Sequence, residues 1–119
     1  MKPTYKQMSL LTAMAKDRCQ VAYCCDGLEA MKTGFCNTDI AFWAKLAGLT
    51  VRSARGVFGT LVKAGWVQLD EDNFRKNPSM SDYWDMSAFT EEGAKVYEEN
   101  GGEWFEEGYR ANSIRLGNQ

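Results

Sequence analysis

The chain contains no histidine. That absence removes the Ser–His and Cys–His nucleophile pairs of acyl-transfer enzymes and every mixed Cys/His zinc site. Neither G-x-x-x-x-G-K-[ST] nor G-x-G-x-x-G occurs, so the two common phosphate-cradling loops are missing. Carboxylates are plentiful, but plenty alone does not make a catalytic dyad, and no enzymatic activity is expected. No apolar run approaches the roughly 18 residues that span a bilayer. The opening MKPTYKQMSLLTAM has lysines but neither a clean apolar h-region nor a small-residue cleavage site. A cytoplasmic protein without a membrane partner is therefore the expectation.

Cysteine is present but poorly placed for chemistry. Cys19, Cys24, Cys25 and Cys36 contain no C-x-x-C, and neighbours Cys24 and Cys25 would point in different directions on a helix. Reduced, partly buried thiols are expected rather than a metal or a disulfide. A redox switch is the alternative, yet no nearby residue would visibly lower a thiol pKa. No cofactor is expected.

What is there suits one compact domain. The 119 residues are 45% hydrophobic and 13% aromatic, enough to bury a core. Net charge is −2, which on its face disfavours a nucleic-acid binder. The average hides a split. Residues 1–66 hold nine cations and four acids, a net +5, whereas residues 67–119 hold five cations and twelve acids, a net −7. Such asymmetry between halves is itself a signal.

Along the chain, residues 4–16 place Tyr5, Met8, Leu10 or Leu11, and Met14 or Ala15 at helical spacing. Residues 18–32 repeat the pattern with Val21, Cys24 or Cys25, Leu28 and Met31. One long helix and two shorter ones both fit, with Asp17 and Gly27 as break points; Thr33-Gly34 ends the region. Phe35-Cys36 reads as short and extended. Asn37 or Thr38 is a suitable N-cap, with Asp39 in the first turn of a helix whose stripe is Ile40, Trp43 or Ala44, and Ala47. Gly48 stops it.

Thr50 caps the next helix, whose inward stripe is Ala54, Val57, Phe58, Leu61 and Val62. At 100° per residue the opposite direction carries Arg52, Gly56, Gly59 and Lys63, with Ser53 and Arg55 on the flanks. Each glycine costs a helix roughly 1 kcal/mol relative to alanine. After Gly65 the period becomes two. WVQLDED sets Val67 and Leu69 against Gln68 and Asp70, and YWDMSAF sets Trp84, Met86 and Ala88 on one side. Between them NFRKNPSMSD is a turn cluster, giving a hairpin with a loop of about ten residues. Thr90 caps a further helix, TEEGAKVYEEN, with Glu91 and Glu92 at its positive end. Gly101-Gly102 breaks it, and the tail EWFEEGYRANSIRLGNQ has the composition of a short amphipathic helix followed by an unanchored end. No internal repeat is visible.

The segment TDIAFWAKLAGLTVRSARGVFGTLVKAGWV resembles the helix-turn-helix of many bacterial and phage regulators, with an "LA…GL(S/T)" turn, a basic helix, and "L…AGW" leading into a strand. YWDMSAFTEEGAKVYEE resembles the wing's return strand and the "LT..G" helix start of MarR-type regulators. The resemblance covers about residues 33–99 and implies an α+β, mainly α fold. It implies a winged helix-turn-helix domain over 1–100, with extra N-terminal helices at 4–32 and a tail at 101–119. It further implies that helix 51–64 enters the major groove of double-stranded DNA, with Thr50, Arg52, Ser53, Arg55 and Gly56 near base edges. Arg52 would address guanine through paired donors. Lys45, Lys63, Arg75 and Lys76, the last two at the hairpin tip, would position the phosphate backbone. The function so implied is transcriptional regulation by a homodimer; a phage or plasmid replication or partition protein would use the same contacts.

Plainer readings stand beside these. Gly56 and Gly59 would also suit close packing of two helices, and Arg52, Arg55 and Lys63 could be ordinary solvated charge. Asp70, Glu71, Asp72 and Asp82 flank Arg75-Lys76 and would repel phosphate. Trp43, Phe58, Trp66 and Trp84 are expected in the core. The competing functional class is an interaction module that binds a host or partner protein through the acidic C-terminal half.

Overall fold

The computed structural model describes residues 2–17, 32–70 and 86–105. Their element order is α1 (Tyr5–Asp17), β1 (Cys36–Asn37), α2 (Ile40–Ala47), α3 (Val51–Lys63), β2 (Val67–Leu69), β3 (Met86–Phe89) and α4 (Glu91–Glu99). Among the described residues this is a small, mainly helical α+β arrangement of four helices and one antiparallel sheet. The sheet order is β1-β3-β2, with Cys36 opposite Ser87 and Val67 opposite Phe89. Among the described residues no helix is long and apolar enough to cross a membrane.

α1 is the central helix and packs against α2, α3 and α4. Its buried residues are Leu10, Leu11, Ala13, Met14, Ala15 and Asp17, which is more than one stripe because three helices cover it. The stripe expected from spacing is corrected at Tyr5, which is 84% exposed, since the first turn of α1 projects beyond those neighbours. The other end of α1 is fixed by a buried contact in which the Trp43 indole N–H donates to Asp17 Oδ2 at 2.8 Å. The helical pattern expected over 18–32, with Cys19, Cys24 and Cys25, lies almost wholly outside the described residues.

α2 begins one residue later than spacing suggests. Asp39, not Asn37 or Thr38, is its N-cap, and Asp39 Oδ1 accepts the Phe42 N–H at 3.1 Å. The two expected caps are committed elsewhere: Asn37 pairs with Met86 in the sheet, and the Thr38 hydroxyl donates to buried Ser87 Oγ at 2.9 Å. Its far end closes at Gly48, whose φ of 72° lets Leu49 N–H reach the Ala44 carbonyl at 2.9 Å. The turn into α3 is therefore three residues, Gly48, Leu49 and Thr50.

Trp43, Phe58, Trp66 and Val67 meet in the core with Phe89 and Tyr97. The Trp43 and Phe58 rings are tilted with centroids 5.9 Å apart. β3 departs from the one-sided alternation expected of it: Ser87, Ala88 and Phe89 are all buried. As the middle strand it is covered on both edges and both faces, so a polar residue inside it must find a partner, as Ser87 does in Thr38. Trp84 lies outside the described residues.

The start of α4 interlocks with the end of α3. Thr90 N–H donates to the Trp66 carbonyl at 3.0 Å, and the Thr90 hydroxyl donates to the Gly65 carbonyl. Thr90 Oγ1 also accepts the Gly93 N–H at 2.9 Å, as its cap position requires. A Cβ on Gly93 would overlap the Trp66 carbonyl. After α4 the chain turns back, and Trp104 packs edge-on against Tyr97 and Phe89 at 4.9 and 5.1 Å. The Trp104 indole donates to Glu98, which also pairs with Lys32 at 2.8 Å. These bonds hold the Glu98 carboxyl below its usual range, Lys32 contributing most, while burial pushes the Tyr97 phenol up. Gly93→Ala is expected to destabilise the fold by about 3 kcal/mol, because backbone rather than a flexible side chain must give way. A urea unfolding midpoint unchanged from the parent would contradict the interlock.

Candidate nucleic-acid interface

α3 is held at both ends and along one side. At its start the Thr50 hydroxyl accepts the Ser53 N–H at 3.0 Å. At its finish Gly65, with φ 81°, lets Trp66 N–H reach the Leu61 carbonyl and Gly65 N–H the Val62 carbonyl, both at 3.0 Å. Its buried residues Ala54, Phe58 and Leu61 face α1, α2 and β2, with Val57 and Val62 half-buried beside them. The expected inward stripe is thus the one observed.

The outward direction carries the residues that the sequence singles out. Thr50, Arg52, Arg55, Gly56, Gly59 and Lys63 are exposed, and Ser53 is half-buried. Among the described residues none of Arg52, Arg55 and Lys63 is in an ion pair, and neither is exposed Lys45 of α2. Arg75 and Lys76 lie outside the described residues.

The glycines are the informative feature of this face. Both sit inside a regular helix with ordinary negative φ, so neither is demanded by backbone conformation. A Cβ built on Gly56 or Gly59 meets nothing within 4 Å. Packing of two helices within the chain therefore does not account for them among the described residues. Together they forgo about 2 kcal/mol of helix stability, a noticeable part of the roughly 5–15 kcal/mol that holds a domain folded. The result is a shallow saddle about 4.5 Å long at 1.5 Å per residue, with arginines before it and a lysine beyond. The ridge has an end: Glu92 Oε2 lies 3.9 Å from where a Gly65 Cβ would stand, so carboxylate chemistry begins just past Lys63.

Two cations that sequence reasoning passed over are exposed at the start of α1, the end that Gln7 ties to α3. Gln7 Nε2 donates to Thr60 Oγ1 at 3.1 Å, which sets the first turn of α1 against the C-terminal half of α3. Lys2 and Lys6 are exposed on that end. A T-x-x-Q capping box at Thr4–Gln7 was legible in the sequence, but its contact 53 residues away was not.

Other parts of the surface offer less. A shallow groove of about 360 Å³ between α1 and the end of α2 is lined by Tyr5, Met8, Ser9, Thr12, Leu46 and Ala47 among others, and among the described residues no acid lines it. Among the described residues no three Cys, Asp or Glu side chains gather in a way that could hold a metal. No family model, no curated protein and no solved structure matches the chain.

Replacing Gly56 or Gly59 by alanine is expected to raise stability by roughly 0.5–1 kcal/mol each, since the added methyl enters open space and favours the helix. Chemical denaturation of the two single variants checks this. A loss of stability would show that the face is covered.

Proposed function

We propose that this chain is a winged helix-turn-helix protein that binds double-stranded DNA in a sequence-specific manner and regulates transcription. α3 is its recognition helix. The carrying observation is the outward face of α3: arginines and a lysine without ion-pair partners among the described residues, bracketing two glycines that serve no contact there. The order helix, strand, helix, helix, hairpin, helix and the sheet order β1-β3-β2 support the winged-helix reading. The charge split of the sequence supports it too, because the positive part contains α3.

The chemistry follows from reach and shape. A major groove about 12 Å wide admits one helix. Side chains at the N-terminal half then reach base edges. Arg52, in the first turn, presents paired N–H donors suited to guanine O6 and N7. Arg55 and Ser53 flank it, and the Thr50 end contributes backbone N–H groups that attract phosphate. Gly56 and Gly59 let the helix axis come closer to the groove wall than any side chain would allow. Lys63 lies about 16 Å from Arg52 along the axis at 1.5 Å per residue, too far for the same bases and suited to a phosphate. Arg75 and Lys76 of the hairpin would add backbone contacts. A homodimer would supply the affinity and specificity that one small module rarely attains alone.

One observation favours the second reading, a protein-interaction module. Glu91, Glu92 and Glu99 are exposed on α4 and would suit a basic partner. That surface adjoins the end of the outward face of α3 at Glu92, beside Gly65, and a pull-down with and without nuclease distinguishes a protein partner from a DNA-bridged one.

Selection from a random duplex library is expected to return a defined motif. On that duplex Arg52→Ala should cost roughly 1–3 kcal/mol in affinity and relax preference at one position. With about four phosphates neutralised, log affinity should fall against log salt with a slope near −3.6. Failure to bind any duplex at low salt would overturn the proposal.

A further inference from the structure

The first turn of α1 is tied to the proposed recognition helix by one side chain with all its polar groups committed. Gln7 Oε1 accepts the Thr4 N–H at 2.9 Å, and Thr4 Oγ1 accepts the Gln7 N–H at 3.1 Å. Gln7 Nε2 then donates to Thr60 Oγ1 at 3.1 Å, and the Thr60 hydroxyl donates onward to the Val57 carbonyl at 2.6 Å. The reciprocal bonds fix the amide of Gln7, so the contact to Thr60 is directional rather than incidental. Around the helix, Thr60 lies beside the outward face, one residue after Gly59 and three before Lys63.

Its position along the axis matters as much. Thr60 is eight residues beyond Arg52, or about 12 Å at 1.5 Å per residue, close to the width of the major groove. A helix whose first turn meets base edges is therefore passing the phosphate backbone at Thr60. Lys6, next to Gln7, and Lys2, just before α1, are exposed and are in no ion pair among the described residues. No acidic residue lies in the first turn of α1 to oppose a phosphate.

From this the geometry points to a second contact with the same duplex: Lys2 and Lys6, at the N-terminal end of α1, grip the phosphates of the strand that α3 crosses as it leaves the groove. Gln7 is the positioning residue that sets the distance between this grip and the base-reading turn. The inference rests on the DNA-binding reading of α3 and adds to it a backbone clamp from the far N-terminal side of the sequence. The clamp reads no bases. It contributes affinity and salt dependence.

The test is a set of anisotropy titrations of the full chain over a range of salt concentrations. Each is run with the library-selected duplex and with a scrambled one. The clamp adds two phosphates to the four counted above, so the parent slope becomes about −5.4, and the double variant Lys2→Ala, Lys6→Ala should return it to about −3.6, shallower by about 1.8. Its ratio of selected to scrambled affinity should stay at the parent value. Gln7→Ala, which keeps both lysines, should lose part of the same slope and also leave the ratio unchanged, a result that unfolding would not produce. A double variant with the parent's slope overturns the clamp while the DNA reading stands. A collapse of the selected-to-scrambled ratio also overturns it, because these residues would then be reading bases. A parent chain that binds neither duplex overturns both proposals.

Discussion

At the end of α3 the Trp66 carbonyl accepts the Thr90 N–H at 3.0 Å, the Thr90 hydroxyl donates to the Gly65 carbonyl, and Gly93 leaves room for the Trp66 carbonyl by having no side chain. This junction joins the last turn of α3, the first residues of β2 and the start of α4 in one place. Trp66 itself is buried with Val67 and Phe89, so the polar junction is continuous with the core. Burying a large apolar side chain is worth about 1.5–3 kcal/mol, and a hydrogen bond made inside rather than to water adds about 1 kcal/mol. Loosening the junction would therefore free α3 at one end and the sheet at the other.

The exposure of the outward face of α3 follows from that constraint. With Thr50 and Gly48 holding its start, Gly65 and Trp66 its finish, and Ala54, Phe58 and Leu61 its inner side, α3 can present only one direction to solvent. That direction carries cations and glycines. A face kept merely soluble would be better served by alanine, glutamate or lysine, all stronger helix formers than glycine. Helix stability forgone at two positions, with no packing among the described residues to offset it, is the kind of local inconsistency that functional surfaces show.

Much of this was legible in the sequence because it depends on neighbours within one or two turns. Thr50 and Thr90 as caps, Gly48 and Gly65 as stops, and the stripe from Ala54 to Val62 are all local rules of helix geometry. The exposed face is the same stripe read from behind. What the sequence concealed depends on long-range pairing. Asn37 and Thr38 looked like caps, but pairing with β3 claims them and leaves Asp39 to start α2. Tyr5 fell on the apolar spacing of α1, yet that turn reaches past the helices that cover the rest. Ser87 is buried together with Ala88 and Phe89 because β3 is the middle strand, which alternation alone does not reveal. The Gln7–Thr60 bond spans 53 residues and has no pattern in the sequence at all. Glycine at 93 was visible as part of a motif, whereas its reason, the Trp66 carbonyl, needed the fold.

The central claim is that the outward face of α3 meets duplex DNA. Its most direct test is a nuclear magnetic resonance titration of the backbone amides with a short duplex, followed residue by residue. The account predicts that shifts and broadening concentrate at Thr50 to Gly56 and at Gly59 and Lys63, while the exposed amides of α4 at Glu91, Glu92 and Glu99 stay in place. Perturbation centred on α4 with α3 unmoved would contradict it.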